Sequence, residues 1–213
     1  MFAPKLTTAR LLLFLFLILT AFAADHGQSL LIKRIVDGDT VALRDGRKIR
    51  LIGVDTPELH ESKKLDRDAA RSHEDKRTIQ KLGRRASEFT KKLLQNGHVE
   101  LEFDPANAVN KNLDKYGRTL AYLWFDCDQP PAEYLQYLQK KGEIWKPKKL
   151  MLNRVLIQCG YGNVYTRFPY QYLDEFRECE REAREYELGL WGSVDGLKSD
   201  DRPLHLPKKF RAG

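Results

Sequence analysis

Two short runs rich in branched apolar residues, 41–44 and 48–54, flank an Asp45-Gly46 pair, and this feature most narrows the folds open to the chain. An Asp-Gly pair between such runs is a strong hairpin signal, because both residues tolerate the positive φ that a tight hairpin turn needs. Residues 29–36, 99–103 and 120–125 have the same character, which makes about five short strands. Five such strands can close into a small barrel.

Helical signals fall between and after the strands. Residues 86–94 place Phe89, Leu93 and Leu94 on one face, with Gly97 positioned to end the helix. Pro130-Pro131 opens a short helix to residue 140 with Tyr134, Leu135 and Leu138 as its apolar face, inside an excursion over 127–149. A further helix is predicted over 150–157, and another over 170–186 with Leu173, Phe176, Glu180 and Ala183 near one stripe. The fold class is therefore α+β with a mainly β core: a five-stranded barrel, about three packed helices and one inserted helix. Residues 59–81 are densely charged, with Leu65 and Ile79 almost their only large apolar side chains, and predict a mobile surface excursion.

The ends are set apart from the fold. Lys5 and Arg10 precede an apolar run, and Ala21-Phe22-Ala23 offers small residues at a cleavage site, so residues 1–23 read as a secretory signal peptide. The run over 11–24 is short of the roughly twenty residues of a spanning helix. The expectation is a secreted or periplasmic protein, at a membrane only if the leader is retained. One domain is expected over 24–192, with no internal repeat, and residues 193–213 carry Pro, Gly and mixed charge that predict a disordered tail. Loss of Lys5 and Arg10 lowers the formal charge from +7 to +5, a basic balance that suits an anionic polymer as partner. Cys127, Cys159 and Cys179 are widely spaced, without histidines at zinc-ligand spacing, which argues against a structural zinc site and leaves one disulfide open.

The chemistry lies in three short stretches. Asp37 and Asp39 sit two apart at a strand end, and Asp55 ends another strand; converging carboxylates with a backbone carbonyl make a partial shell of hard oxygens suited to calcium or magnesium. Taken alone, Asp-Gly-Asp is also a common turn, and Asp55 can be a simple cap. Glu58 follows Pro57, which limits where its carboxylate points, and a carboxylate there can accept a proton from a water or orient it. Arg50, inside an otherwise apolar strand, wants an anion, either a structural carboxylate or a bound phosphate. Gly117 can aim Arg118 inward at a strand start, with Lys115 as a phosphate contact and Tyr116 as a stacking ring. Carboxylates for a hard cation, one for a water and arginines for a phosphate suit metal-assisted cleavage of a phosphodiester.

The stretches DGDTVAL, RLIGVDTPE and DKYGRTLAY, in this order, resemble the staphylococcal (micrococcal) nuclease or thermonuclease family over about residues 32–191. The resemblance implies an OB-type five-stranded barrel with three helices and calcium-dependent endo- and exonuclease action on DNA and RNA, leaving 3′-phosphates. By motif position, Asp39, Asp55 and the Thr56 carbonyl would bind calcium, Arg50, Glu58 and Arg118 would be catalytic, and Lys115 and Tyr116 would lie near the nucleotide. Where the family presents a tyrosine pair, Tyr165 or Phe168 is the substitute here. The substrate-binding set is thus Lys115, Tyr116 and Tyr165; a monomer with no stable protein partner is implied. The rival reading is a catalytically inactive nucleic-acid-binding barrel.

Overall fold

The Asp45-Gly46 turn forms as its residue types require: Gly46 takes φ +94°, and the Asp45 carboxylate accepts a hydrogen bond from Arg47 N at 2.9 Å. It joins β2 (Thr40–Leu43) to β3 (Lys48–Leu51), with Val41 opposite Ile49 and Thr40 opposite Arg50. The computed structural model describes residues 29–72 and 75–192. The expected leader (1–23) and tail (193–213) lie outside the described residues.

β1 (Leu30–Asp37) pairs antiparallel with β2 on one side and with β5 (His98–Glu102) on the other, and β5 pairs antiparallel with β6 (Thr119–Cys127). β6 then runs parallel to β3, Arg50 opposite Leu120, and this pairing closes the five-stranded barrel. Alternating side chains fill its interior, among them Val41, Leu43, Ile49, Leu51, Val99, Ala121, Leu123 and Phe125, all buried. Breaks in register between Ile32 and Arg34 and between Ile35 and Asp37 bend β1 around the barrel.

The expected third strand over 48–54 is two. Gly53 turns the chain at φ +74°, and β4 (Val54–Asp55) leaves the barrel to pair with β8 (Asn163–Val164). A Cβ at Gly53 would meet the Tyr170 ring at 2.7 Å, so the missing side chain admits that ring as well as the turn. The barrel is also extended at β6 by β7 (Lys148–Met151), where a helix was expected to begin at residue 150. Leu150 and Met151 form a short apolar run that suits either state, and pairing with Phe125 and Trp124 decides for strand.

Among the described residues there are five α-helices. The 59–81 excursion is largely helical: α1 (Lys63–Ser72) buries Leu65, and α2 (Lys76–Leu93) begins well before residue 86, capped by Asp75, whose carboxylate accepts from Thr78 N at 3.0 Å. Ile79, Leu82, Ala86, Phe89 and Leu93 supply the helical stripe that was hidden among charges. α3 (Ala132–Lys141) is the inserted helix; Tyr134, Tyr137 and Leu138 are buried, whereas Leu135 faces solvent. α4 (Leu152–Gln158) and α5 (Leu173–Glu185) pack on the barrel through Leu152, Val155, Leu156 and Phe176. Glu180, expected on the buried stripe of α5, accepts instead from Val164 N (2.9 Å) and Arg184 Nη2 (2.8 Å), while Cys179 takes a buried place.

Two buried polar side chains fasten these layers. Asn153 on α4 donates to Ile52 O (2.8 Å) and Ala121 O (3.4 Å) and accepts from Leu123 N (3.0 Å), tying β6 to the chain between β3 and β4. Asp104 accepts from Tyr122 Oη (2.5 Å), Gln171 N (2.8 Å) and Ala106 N (2.9 Å). Burial alone would raise the Asp104 carboxyl, but these donors prevail and hold it below the usual carboxylate range. Cys127, Cys159 and Cys179 are buried and free, so among the described residues no disulfide forms.

Candidate active site

Asp39 follows the Asp37-Gly38 corner between β1 and β2, and its side chain is buried. A Cβ at Gly38 would lie 2.8 Å from the Thr56 side chain and 2.9 Å from Ala86, so glycine here lets both β4 and α2 close on the corner. Thr90 on α2 donates its hydroxyl to Gly38 O at 2.9 Å and fixes that corner from below. The result brings the start of β2 against the end of β4.

Asp39 Oδ2 accepts from Thr56 N (2.8 Å) and Thr56 Oγ1 (3.0 Å) and lies 2.6 Å from Arg50 Nη1. That last approach is a charge contact off the N–H direction, and it leaves Nη1 buried with no aligned hydrogen bond. Arg50 Nη2 donates to Asp55 Oδ1 at 3.2 Å. Arg50 therefore answers the question its sequence position poses: it has structural carboxylates on two sides, Asp39 and Asp55.

Burial would raise the Asp39 carboxyl, yet Arg50, Lys64 and the Thr56 amide outweigh it and hold the group low. Asp37, whose Oδ1 accepts from Asp39 N at 3.3 Å, goes the other way: burial and the neighbouring Asp39 carboxylate push it up to about 7. Two adjacent aspartates thus have opposite tendencies, set by which of them faces the cations.

Glu58 lies just past Pro57, where α2 runs close beneath. Its Oε2 accepts from Ser62 Oγ (3.2 Å) and its Oε1 pairs with Lys64 Nζ (2.9 Å). The same ammonium reaches Asp55 Oδ1 (3.0 Å) and Thr56 O (3.0 Å). Burial would lower Lys64, but Asp55, Asp39 and Glu58 raise it above its ordinary value. The structure thus gathers Asp39, Arg50, Asp55, Thr56 and Glu58 into one cluster, together with Lys64, which lies in the stretch expected to be a mobile surface excursion. The only trace of this in the sequence is Leu65 beside it, an apolar residue in a charged stretch.

The donor set is hard oxygen converging on positive charge, which is the chemistry of a calcium or magnesium ligand shell. Among the described residues, however, no three carboxylate, imidazole or thiolate groups stand ready as a metal cage, and the oxygens of Asp55, Thr56 and Glu58 converge on Lys64. The oxygens fit the ion in kind, and the lysine ammonium already bonds to them.

Arg118, Lys115 and Tyr116 form a neighbouring group on the turn that enters β6. Asp114 organises it: Oδ1 accepts from Tyr116 N (2.8 Å) and Arg118 N (2.9 Å), and Oδ2 accepts from Arg118 Nε (2.7 Å). Gly117 takes φ +76° in the turn. The Tyr116 ring is exposed, with Lys115 Nζ 5.0 Å and Arg118 Cζ 5.6 Å from its centroid. Arg118 stands one residue before β6, which runs alongside the strand that carries Arg50, with Leu120 opposite Arg50. Tyr165 is placed by its own backbone, N to Gly53 O at 2.9 Å, just past β8 and so beside β4; its ring lies 6.3 Å from that of exposed Phe168.

Residues 48–193 match the family described as Staphylococcal nuclease homologue. The chain belongs to the staphylococcal nuclease family. It is 38% identical to a thermonuclease of Staphylococcus intermedius over 78% of this chain and 77% of that protein, and 29% identical to a thermonuclease of Staphylococcus hyicus over 75% and 73%. It is also 28% identical to the endonuclease YncB of Bacillus subtilis over 74% of this chain and 59% of that protein. The closed barrel with helices packed on it is the architecture expected of a staphylococcal nuclease homologue, and Asp39, Arg50, Asp55 and Glu58 lie in one cluster on it.

Proposed function

We propose that this chain is an exported, calcium-dependent nuclease that hydrolyses phosphodiester bonds of DNA and RNA, by endo and exo cleavage, leaving 3′-phosphates. The reading is carried by one observation: Arg50 stands between Asp39 and Asp55, and Lys64 joins Asp55 to Glu58, so the motif carboxylates and an arginine form one cluster. Membership of a nuclease family supports it, and the thermonuclease relatives make nucleic acid the substrate class. The leader pattern supports export to the periplasm or the medium.

A hard divalent cation held by Asp39, Asp55 and the Thr56 carbonyl would supply charge to offset that of a phosphoryl oxygen. The remaining work falls to side chains. Arg50 and Arg118 bind the phosphate and balance the charge that grows on it as water adds to phosphorus and the bond to the 5′ oxygen breaks. Glu58 orients the water and takes its proton at a carboxylate oxygen, and one arginine or solvent returns a proton to the departing 5′ oxygen. Tyr116 and Tyr165 offer rings to bases on either side.

Arg118 is the sharpest test, because Asp114 holds it in place without making it part of the buried cluster. Arg118→Ala is expected to lower kcat/KM on single-stranded DNA about a hundredfold or more, roughly two to four kcal/mol of transition-state stabilisation, with little change in stability. Retention of most activity would remove Arg118 from the chemistry.

A further inference from the structure

Lys64 is the one cation of the cluster that the family pattern does not assign. An ammonium has three N–H donors, and Lys64 has three oxygens for them: Asp55 Oδ1 (3.0 Å), Thr56 O (3.0 Å) and Glu58 Oε1 (2.9 Å). Two of these belong to the oxygens proposed above for a divalent ion, and the third to the carboxylate that faces the water. A lysine and a metal ion cannot use them at once.

The backbone beneath Lys64 is fixed while its head is not. Leu65 is wholly buried, Ser62 Oγ accepts from Leu65 N (3.0 Å), and the same hydroxyl donates to Glu58 (3.2 Å), so the first turn of α1 is anchored on both sides. The Lys64 side chain keeps 27% of its surface in solvent, and its long flexible stem allows the ammonium to leave without unseating the helix. Around it stand the carboxylates of Asp37, Asp39, Asp55 and Glu58, which face two cations, Arg50 and Lys64. Without Lys64 the deficit of positive charge grows; with a divalent ion on the same Asp55 and Thr56 oxygens, the ammonium and the ion would meet at contact distance.

We propose that Lys64 is an internal competitor for the cation site: its ammonium and a divalent ion alternate on the Asp55 and Thr56 oxygens. Lys64 thereby keeps the ion-free cluster in shape and sets the affinity with which an ion enters. This rests on the cation reading of the site. It assigns a determinant of metal affinity to α1, a segment outside the three motifs.

The experiment is calorimetric titration of calcium chloride into the purified, chelator-stripped protein and into Lys64→Met, with thermal unfolding of each in chelator and in calcium. Lys64→Met should bind calcium at least tenfold more tightly. In chelator it should melt below the unsubstituted protein, and calcium should raise its melting temperature by the larger amount. Equal or weaker affinity in Lys64→Met would overturn the competition while leaving the cation site standing. Absence of calcium binding by both proteins would remove the cation site and the competition with it. If Lys64→Met does not fold in chelator, Lys64→Gln keeps the polar head without the charge. Recovery of either variant by calcium supports the proposal, and failure of both to fold even in calcium would make Lys64 an indispensable structural cation and overturn it.

Discussion

Gly83 lies on the buried face of α2, where an added Cβ would meet the carbonyl carbon and oxygen of Glu58 and the carbonyl oxygen of Pro57, each at 2.7 Å. Alanine in a helix interior ordinarily improves on glycine by about 0.5–1 kcal/mol. Here the obstacle is backbone, which cannot rotate aside as a side chain would. Relief to an ordinary 3.4 Å contact requires a displacement of about 0.7 Å. Overpacking of this kind costs about 1–3 kcal/mol, so Gly83→Ala should change the unfolding free energy by roughly zero to 2 kcal/mol, toward lower stability. The backbone that yields carries Glu58, whose carboxylate must stay within reach of a water. A displacement of this order at a reacting group can cost on the order of a hundredfold in rate. Urea unfolding together with kcat and KM on single-stranded DNA separates the two effects, and kcat is expected to fall by about ten- to a hundredfold while the protein stays folded, with a stability loss of at most about 2 kcal/mol. A Gly83→Ala protein of undiminished activity and about 1 kcal/mol greater stability would refute this reading of the α2 approach.

Asn153→Ala strands the buried Leu123 amide and frees the carbonyls of Ile52 and Ala121. It should lower the unfolding free energy by about 1–3 kcal/mol or more, measured by urea denaturation; an unchanged midpoint would show that water replaces the amide. Asp104→Asn tests the second fastening. Because the folded-state carboxyl of Asp104 is held below the usual 3.8, its stabilisation is fully present above that value and is lost as pH falls through the folded-state pKa. The variant should therefore be about 1–3 kcal/mol less stable at pH 7, with the gap closing below about pH 4; a gap constant with pH would contradict this sign.

What the sequence reveals and what it hides divides along the range of the interactions. The β2–β3 hairpin is legible because Asp45 and Gly46 act within the turn itself, and the Ala86–Leu93 part of α2 because its apolar spacing is local. The motif residues could be named, but not their partners: that Arg50 bridges Asp39 and Asp55 depends on β2, β3 and β4 meeting in space. Gly53 hides the strand break because a single glycine inside an apolar run reads as continuous strand until the Tyr170 ring claims its space. Lys64 is hidden most completely. A charged helix held by one buried leucine offers almost no large apolar side chains to read, and nothing local marks which lysine will turn inward.

Cleavage of single-stranded DNA by the purified protein, with calcium, then with excess chelator, then with calcium restored, tests the central claim most directly. The expected result is cutting that stops on chelation and returns with the ion, giving fragments that end in 3′-phosphate. A folded protein that binds the strand but cuts nothing with any divalent ion, or one whose cutting ignores the chelator, would contradict it, the first outcome leaving a nucleic-acid-binding barrel and the second a site that works on Arg50, Arg118 and Lys64 without a metal.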